Sequence, residues 1–248
     1  MTRRLVQLYV GLVLYGASMA LQIRAALGLD PWDVFHQGLS EHLGLSFGTV
    51  TMIVGAAVLL LWIPLRQLPG VGTVSNVFVI GLSVNAGLDL LPALHGLPPR
   101  IAVLAAAIVL NGVAGGLYIG ARLGPGPRDG LMTGLHRRTG RSVRLVRTGI
   151  EVTVLVVGVL MGGSVGLGTV AYALAIGPLV QFFLPLFTVP VVSGAVQHVN
   201  QGLTASSTTG WRDRTGGLND DGREGDFHGF HGAGAGAGTG TAAAAADH

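Results

Sequence analysis

No cysteine occurs among the 248 residues, which excludes disulfides and every Cys-ligated metal site. Lysine is absent as well: all 15 basic residues are arginine, a compositional bias that carries no chemistry of its own. Charge of either sign is scarce. Asp, Glu, Lys and Arg make up 11% of the chain, against about 25% in a soluble domain, so most of the molecular surface does not face water. No Walker motif and no His-Glu-x-x-His occur, and no nucleophile–base pair can be read, so no enzyme, metal or cofactor is expected. Nothing resembles a nucleic-acid-binding module, and the basic residues suit topology or anionic lipid better.

What remains is apolar and periodic. A helix needs about 20 mostly apolar residues to cross the hydrocarbon core of a bilayer. Six segments meet that need: 5–24, 47–65, 71–92, 101–120, 144–162 and 167–188. Met1-Thr-Arg3-Arg4 and the run behind it read as the first span, too long for a signal-peptide core. Two pieces are too short and too polar to span, 31–45 and 127–140, and read as amphipathic or re-entrant helices. Residues 189–200 read as a short interfacial helix. Beyond Gln201 the chain is polar and then low in complexity, and 201–248 is expected to be a disordered cytoplasmic tail. His228 and His231 lie there without further ligands, so no metal is expected.

Sliding the chain against itself by 96 residues aligns it without a gap. LGLDPWDVFHQGLSEHLGLS falls over LGPGPRDGLMTGLHRRTGRS, and GVGTVSNVFVIG over GLGTVAYALAIG. From 27–81 against 123–177, 17 of 55 positions are identical. The matched pairs include Gly28/Gly124, Pro31/Pro127, Asp33/Asp129 and Gly72/Gly168, residue types that fix backbone bends. The expected fold is therefore an all-α membrane protein: six transmembrane helices as two three-helix repeats, 1–96 and 97–200, each with one short helix. Three spans per repeat make the second copy enter the membrane from the opposite side. Charge agrees. The 24–46 connection carries one Arg against three acids, and its counterpart 121–147 carries seven Arg against one, as opposite orientation requires when positive loops stay inside. Both termini are then cytoplasmic; Arg100 alone falls on the wrong side.

The GLDPWD and GPGPRDG elements place Pro at a helix start and Asp in the first turn. Ordinary capping accounts for that. In inverted-repeat transporters, however, broken helices meet at the repeat interface and present their ends to the substrate. Glu151, inside a span, is a functional candidate by default, although Arg147 stands four residues before it and can pair with it. The candidate solute path comprises Asp33, Asp129, Arg128, Glu151, Arg147 and Asp89, with backbone bends at Gly28, Gly124, Gly72 and Gly168. Asn76, Asn85, Asn111 and Gln181 read as interhelical hydrogen bonds. Gly112, Gly116 and Gly120 mark a close helix packing face, within one chain or in a homo-oligomer.

These residues resemble a known family. LGLDPWDVFHQGLS, GVGTVSNVFVIG, GPRDGLMTGL, Arg147-x-x-x-Glu151 and GLGTVAYALAIGPLV are similar to the YczE-like branch of the YitT-related bacterial integral membrane proteins, over about residues 5–188. The resemblance implies a multi-spanning protein of the bacterial cytoplasmic membrane and implies no reaction. The expected function is a secondary transporter or permease for a small solute or ion, with a two-half-helix channel as a close variant. The alternative is a non-transporting scaffold or regulator that holds partners or anionic lipid through its Arg-rich loop or tail.

Overall fold

The computed structural model describes residues 1–189, all within one compact unit. The interfacial helix expected at 189–200 and the tail at 201–248 fall outside the described residues, apart from Val189 itself. Eight helices follow in order: α1 (Thr2–Ala25), α2 (Pro31–Leu43), α3 (Phe47–Leu65), α4 (Val71–Leu90), α5 (Leu97–Gly120), α6 (Pro127–Thr139), α7 (Val143–Leu160) and α8 (Leu167–Phe187). Among the described residues there is no strand. Five helices, α1, α3, α4, α5 and α8, are long and apolar enough to cross a membrane. The sixth expected span, α7, has 18 residues but holds Arg144, Arg147 and Glu151.

Helix starts and stops follow from local chemistry that occurs twice. Ser46 caps α3 by accepting from Thr49 N at 3.3 Å, and Ser142 caps α7 by accepting from Leu145 N at 3.2 Å. The hydroxyls of Thr73 and Thr169 accept from Gly70 N and Gly166 N at the heads of α4 and α8, at 3.2 and 3.3 Å. Each hydroxyl satisfies an N–H that the helix leaves orphaned. After α1 and α5 the chain turns through left-handed residues, Ala26 (φ 49°) and Gly28 (φ 113°), then Arg122 (φ 53°) and Gly124 (φ 132°). Gly28 and Gly124 are thus true bends. Gly72 and Gly168 are not: both lie inside the first turns of α4 and α8. Their missing side chains serve close approach, letting Gly72 N donate to Leu123 O at 2.9 Å and Gly168 N to Leu27 O at 2.8 Å.

The two copies are interleaved. α1 packs on α4, α5 on α8, and α1 on α5 at the centre; α2 packs on α7 of the other copy, and α6 on α3. α1 and α5 run antiparallel. Gln7 donates to Leu117 O at 2.9 Å, Asn111 donates to Ser18 Oγ at 2.7 Å, and Arg100 donates to Ala25 O at 2.6 Å. Gly112, Gly116 and Gly120 press on Leu179, Phe183 and Phe187, so this small-residue face packs α5 on α8 within one chain. Leu60, Ile63, Leu82, Leu174 and Phe182 are all more than 60% exposed. Such an apolar outer surface suits contact with lipid, not water.

Candidate functional site

The short helices α2 and α6 begin close together. Asp30, the N-cap of α2, accepts from Asp33 N at 2.9 Å, with Pro31 at the first helical position. The capping account of this motif is therefore right, and it is only half of what the motif does. From the first turn of α6, Arg128 reaches across the repeat boundary. Its guanidinium lies 3.7 Å from Asp30 Oδ2 and 3.7 Å from Asp33 Oδ1, ion-pair rather than hydrogen-bond distance. The same guanidinium stands 5.1 Å over the Trp32 ring, a cation–π contact. His36 Nδ1 is 3.2 Å from Asp33 Oδ1. The Asp33 side chain is wholly buried, Asp30 is 3% exposed, and Arg128 keeps a quarter of its side chain accessible.

α6 has no capping side chain at Gly126. Asp129, the counterpart of Asp33, instead accepts from Tyr118 OH on α5 at 3.0 Å. Among the described residues no cation pairs with Asp129, and the residue is exposed. Trp62 of α3 fixes the start of α6: its indole lies against Gly130, and Nε1 donates to Pro127 O at 3.1 Å. Asn111 joins the layers, donating to Ser18 and accepting from Tyr172 OH at 3.1 Å. Its expected role as an interhelical hydrogen-bonding group is what the geometry gives, as it is for Asn85, which accepts from Gly48 N at 2.8 Å.

These groups enclose a pocket of about 360 Å³ between the two copies, lined by Asp30, Trp32, Arg128, Asp129, Glu151 and Asn111 among others. At about 30 Å³ per water, that is room for about a dozen. Tyr15, Tyr118 and Tyr172 add aromatic surface, and Asn76 and Gln181 add amides. Two buried polar atoms beside it have no hydrogen-bond partner, Trp32 Nε1 and Asp33 Oδ2. Arg147 donates to Glu151 at 2.9 Å, and both line the pocket while staying partly exposed. Five of the six charged residues expected from sequence therefore meet here, with Asp33 just behind the wall. Asp89 does not: it is exposed near the end of α4 and outside the lining.

Sequence reasoning missed Asp30, His36 and the three tyrosines. Asp30 was legible as an N-cap before Pro31; nothing local distinguishes the tyrosines from ordinary core residues. One string matches a catalytic signature, Gly162-Gly163-Ser164-Val165-Gly166. It lies in the α7–α8 connection, not at a strand-to-helix turn. Ser164 N is tied to Gln37 Oε1 at 2.9 Å. The nucleophile elbow needs a strand before it and a base beside it, so the match carries no chemistry.

The seams beside the pocket differ between the copies. In the first, α3 packs tightly on α4. A Cβ at Gly48 would lie 2.0 Å from Gly81 O, and one at Gly55 would lie 3.2 Å from Val77. The residues 96 further on are Arg144 and Glu151. α7 makes no comparable contact with α8, and a Cβ at Gly177, the counterpart of Gly81, would meet nothing within 4 Å.

Such an interleaved helical core with an apolar outer surface and a polar pocket defines a helical membrane protein. More particularly, the chain belongs to the Family of unknown function (DUF6198), whose model matches residues 2–185. It is 38% identical to an uncharacterized protein of Haemophilus influenzae, over 71% of this chain and 81% of that one. It is 37% identical to the uncharacterized membrane protein YczE of Bacillus subtilis, over 71% of this chain and 83% of that one. The uncharacterized protein YyaS of the same species is 23% identical, over 71% and 90%. The YczE-like resemblance read from the motifs is thus the family relationship. No solved structure matches the chain.

Proposed function

We propose that the chain is a permease for a small polar solute, with α1, α3, α4, α5, α7 and α8 crossing a bacterial inner membrane as two inverted three-helix repeats. The start of α1 and the end of α8 lie on the cytoplasmic side, and α2 and α6 enter the membrane as half-helices from opposite faces. The observation that carries this reading is the pocket where α2 of one copy and α6 of the other begin, held by the Arg128 contacts to Asp30 and Asp33. Substrate sites of inverted-repeat transporters form at such junctions of discontinuous helices. The antiparallel α1–α5 pair supports the inversion, since equivalent helices of inverted copies must run in opposite directions. Charged residues inside a membrane protein mark solute pathways when they face a cavity, and Arg147 and Glu151 do so at the loose α7–α8 seam.

The wild-type chain has no cysteine, so single cysteines can be introduced directly. Glu41 and Arg137 are equivalent exposed positions near the ends of α2 and α6. Cysteines there should react with a membrane-impermeant thiol reagent from opposite faces of the membrane. Cysteines at Gln181 and Glu151 should react as well, through water that enters the pocket. Labelling of 41 and 137 from the same face removes the inversion. Inert cysteines at 181 and 151 in a folded protein remove the aqueous path and favour a scaffold.

A further inference from the structure

Resting on that reading, we infer that the pocket selects a small organic cation of the ammonium class, with Asp129 as its counter-charge. The charges around the pocket favour a cation. Arg128 faces two carboxylates, Asp30 and Asp33, at equal distance, and Arg147 is matched by Glu151. Both arginines are therefore answered within the protein, and an incoming anion finds no free positive charge. Asp129 lines the pocket and, among the described residues, has no cationic partner. Among the described residues its carboxylate accepts one hydrogen bond, from the neutral Tyr118 hydroxyl. The site as built carries excess negative charge. Protonating Asp30 or Asp33 would neutralise the Arg128 group and still leave Asp129 in excess.

The walls suit an ammonium group. Tyr15, Tyr118 and Tyr172 face the same space, and Tyr15 and Tyr118 meet edge to face at 6.1 Å. Aromatic faces attract desolvated ammonium groups. A metal ion would need several hard oxygen or imidazole donors converging, and among the described residues no three His, Asp or Glu side chains are placed to hold one.

The test is binding to the purified full-length protein in detergent, independent of transport. The probes are choline, ethanolammonium and tetramethylammonium chlorides against sodium chloride at equal ionic strength, with sodium acetate and sodium phosphate as anions. Calorimetric titration should give saturable binding for at least one ammonium salt, and thermal unfolding should shift upward with it. Asp129→Asn should weaken that binding by about tenfold to a hundredfold, the loss of one charge-assisted contact; Asp129→Glu should keep part of it. Glu41→Gln, an exposed acid away from the pocket, should leave it unchanged. Should Asp129→Asn fail to fold, Tyr118→Phe serves instead and should alter ammonium affinity. Saturable binding of acetate or phosphate without any ammonium binding would overturn the assignment. Ammonium binding that Asp129→Asn leaves intact would overturn it too. An inert ammonium panel, with cysteines at 181 and 151 still reactive, would overturn the cation assignment while the permease reading stands; failure of the labelling alone would remove the latter.

Discussion

The contact that aims α6 at the pocket can be broken and repaired. A Cβ at Gly130 would lie 1.9 Å from Trp62 Cζ2 and 2.4 Å from Cη2. Trp62 is 1% exposed, and its rigid indole cannot swing aside as the tip of a flexible chain would. Gly130→Ala must therefore push α6 away from α3 or displace the ring. Overpacking of this kind costs about 1–3 kcal/mol. Displacing the ring also loosens the Trp62–Pro127 hydrogen bond, worth about 0.5–1.5 kcal/mol. The better helix propensity of alanine returns up to about 1 kcal/mol. The expected net loss is about 2 kcal/mol, or roughly 4–8 °C in unfolding temperature for a chain of this size. Trp62→Leu removes the obstructing ring and by itself costs about 2–4 kcal/mol through the cavity it leaves. In that background Gly130→Ala should be neutral or stabilising, giving a coupling of about 2 kcal/mol between the positions. Thermal unfolding of the four proteins in one detergent measures the cycle. Equal costs of Gly130→Ala in both backgrounds would refute the reasoning, because the clash would then not lie with Trp62.

Three other substitutions probe the repeat and its core. Gly28→Ala and Gly124→Ala should each lower stability by at least about 1 kcal/mol, since both residues have positive φ and face backbone or hydroxyl atoms below 3 Å; paired unfolding measurements that find only one position sensitive would count against the equivalence of the two copies. Asn111→Leu keeps the volume but leaves the Tyr172 hydroxyl without its acceptor; a loss of about 1 kcal/mol is expected for an interhelical hydrogen bond of this type, and a more stable variant would show that Tyr172 finds another partner.

Much of this architecture was written in the sequence, because membrane helices obey two local constraints. Length and apolar composition placed the five long apolar helices, α1, α3, α4, α5 and α8, and Gly, Pro and capping Ser or Thr at a spacing of 96 residues placed helix ends twice. The motif pair GLDPWD and GPGPRDG marked the starts of α2 and α6, since Pro at a first helical position and Asp in a first turn are local chemistry. Glu151 in the place of Gly55 was visible as an asymmetry. Its physical sense, a charge standing where the other copy closes on a glycine, needed the packed α3–α4 seam beside the loose α7–α8 one.

Only the tertiary structure decided which charges meet. Arg128 lies 95 residues from Asp33 and Asp89 lies 56 from it, and sequence distance ranks neither. The interleaving of the copies, α2 on α7 and α6 on α3, carries Arg128 across to Asp30 and Asp33 and leaves Asp89 outside. The tyrosines enter the pocket for the same reason: α1, α5 and α8 present them inward, and a helix start in the opposite copy completes the wall. Local sequence fixes where a helix begins and which residues cap it. Which helix it then lies against is set by the fit of glycines to facing side chains across the whole fold, and that fit exists only once the chain has folded.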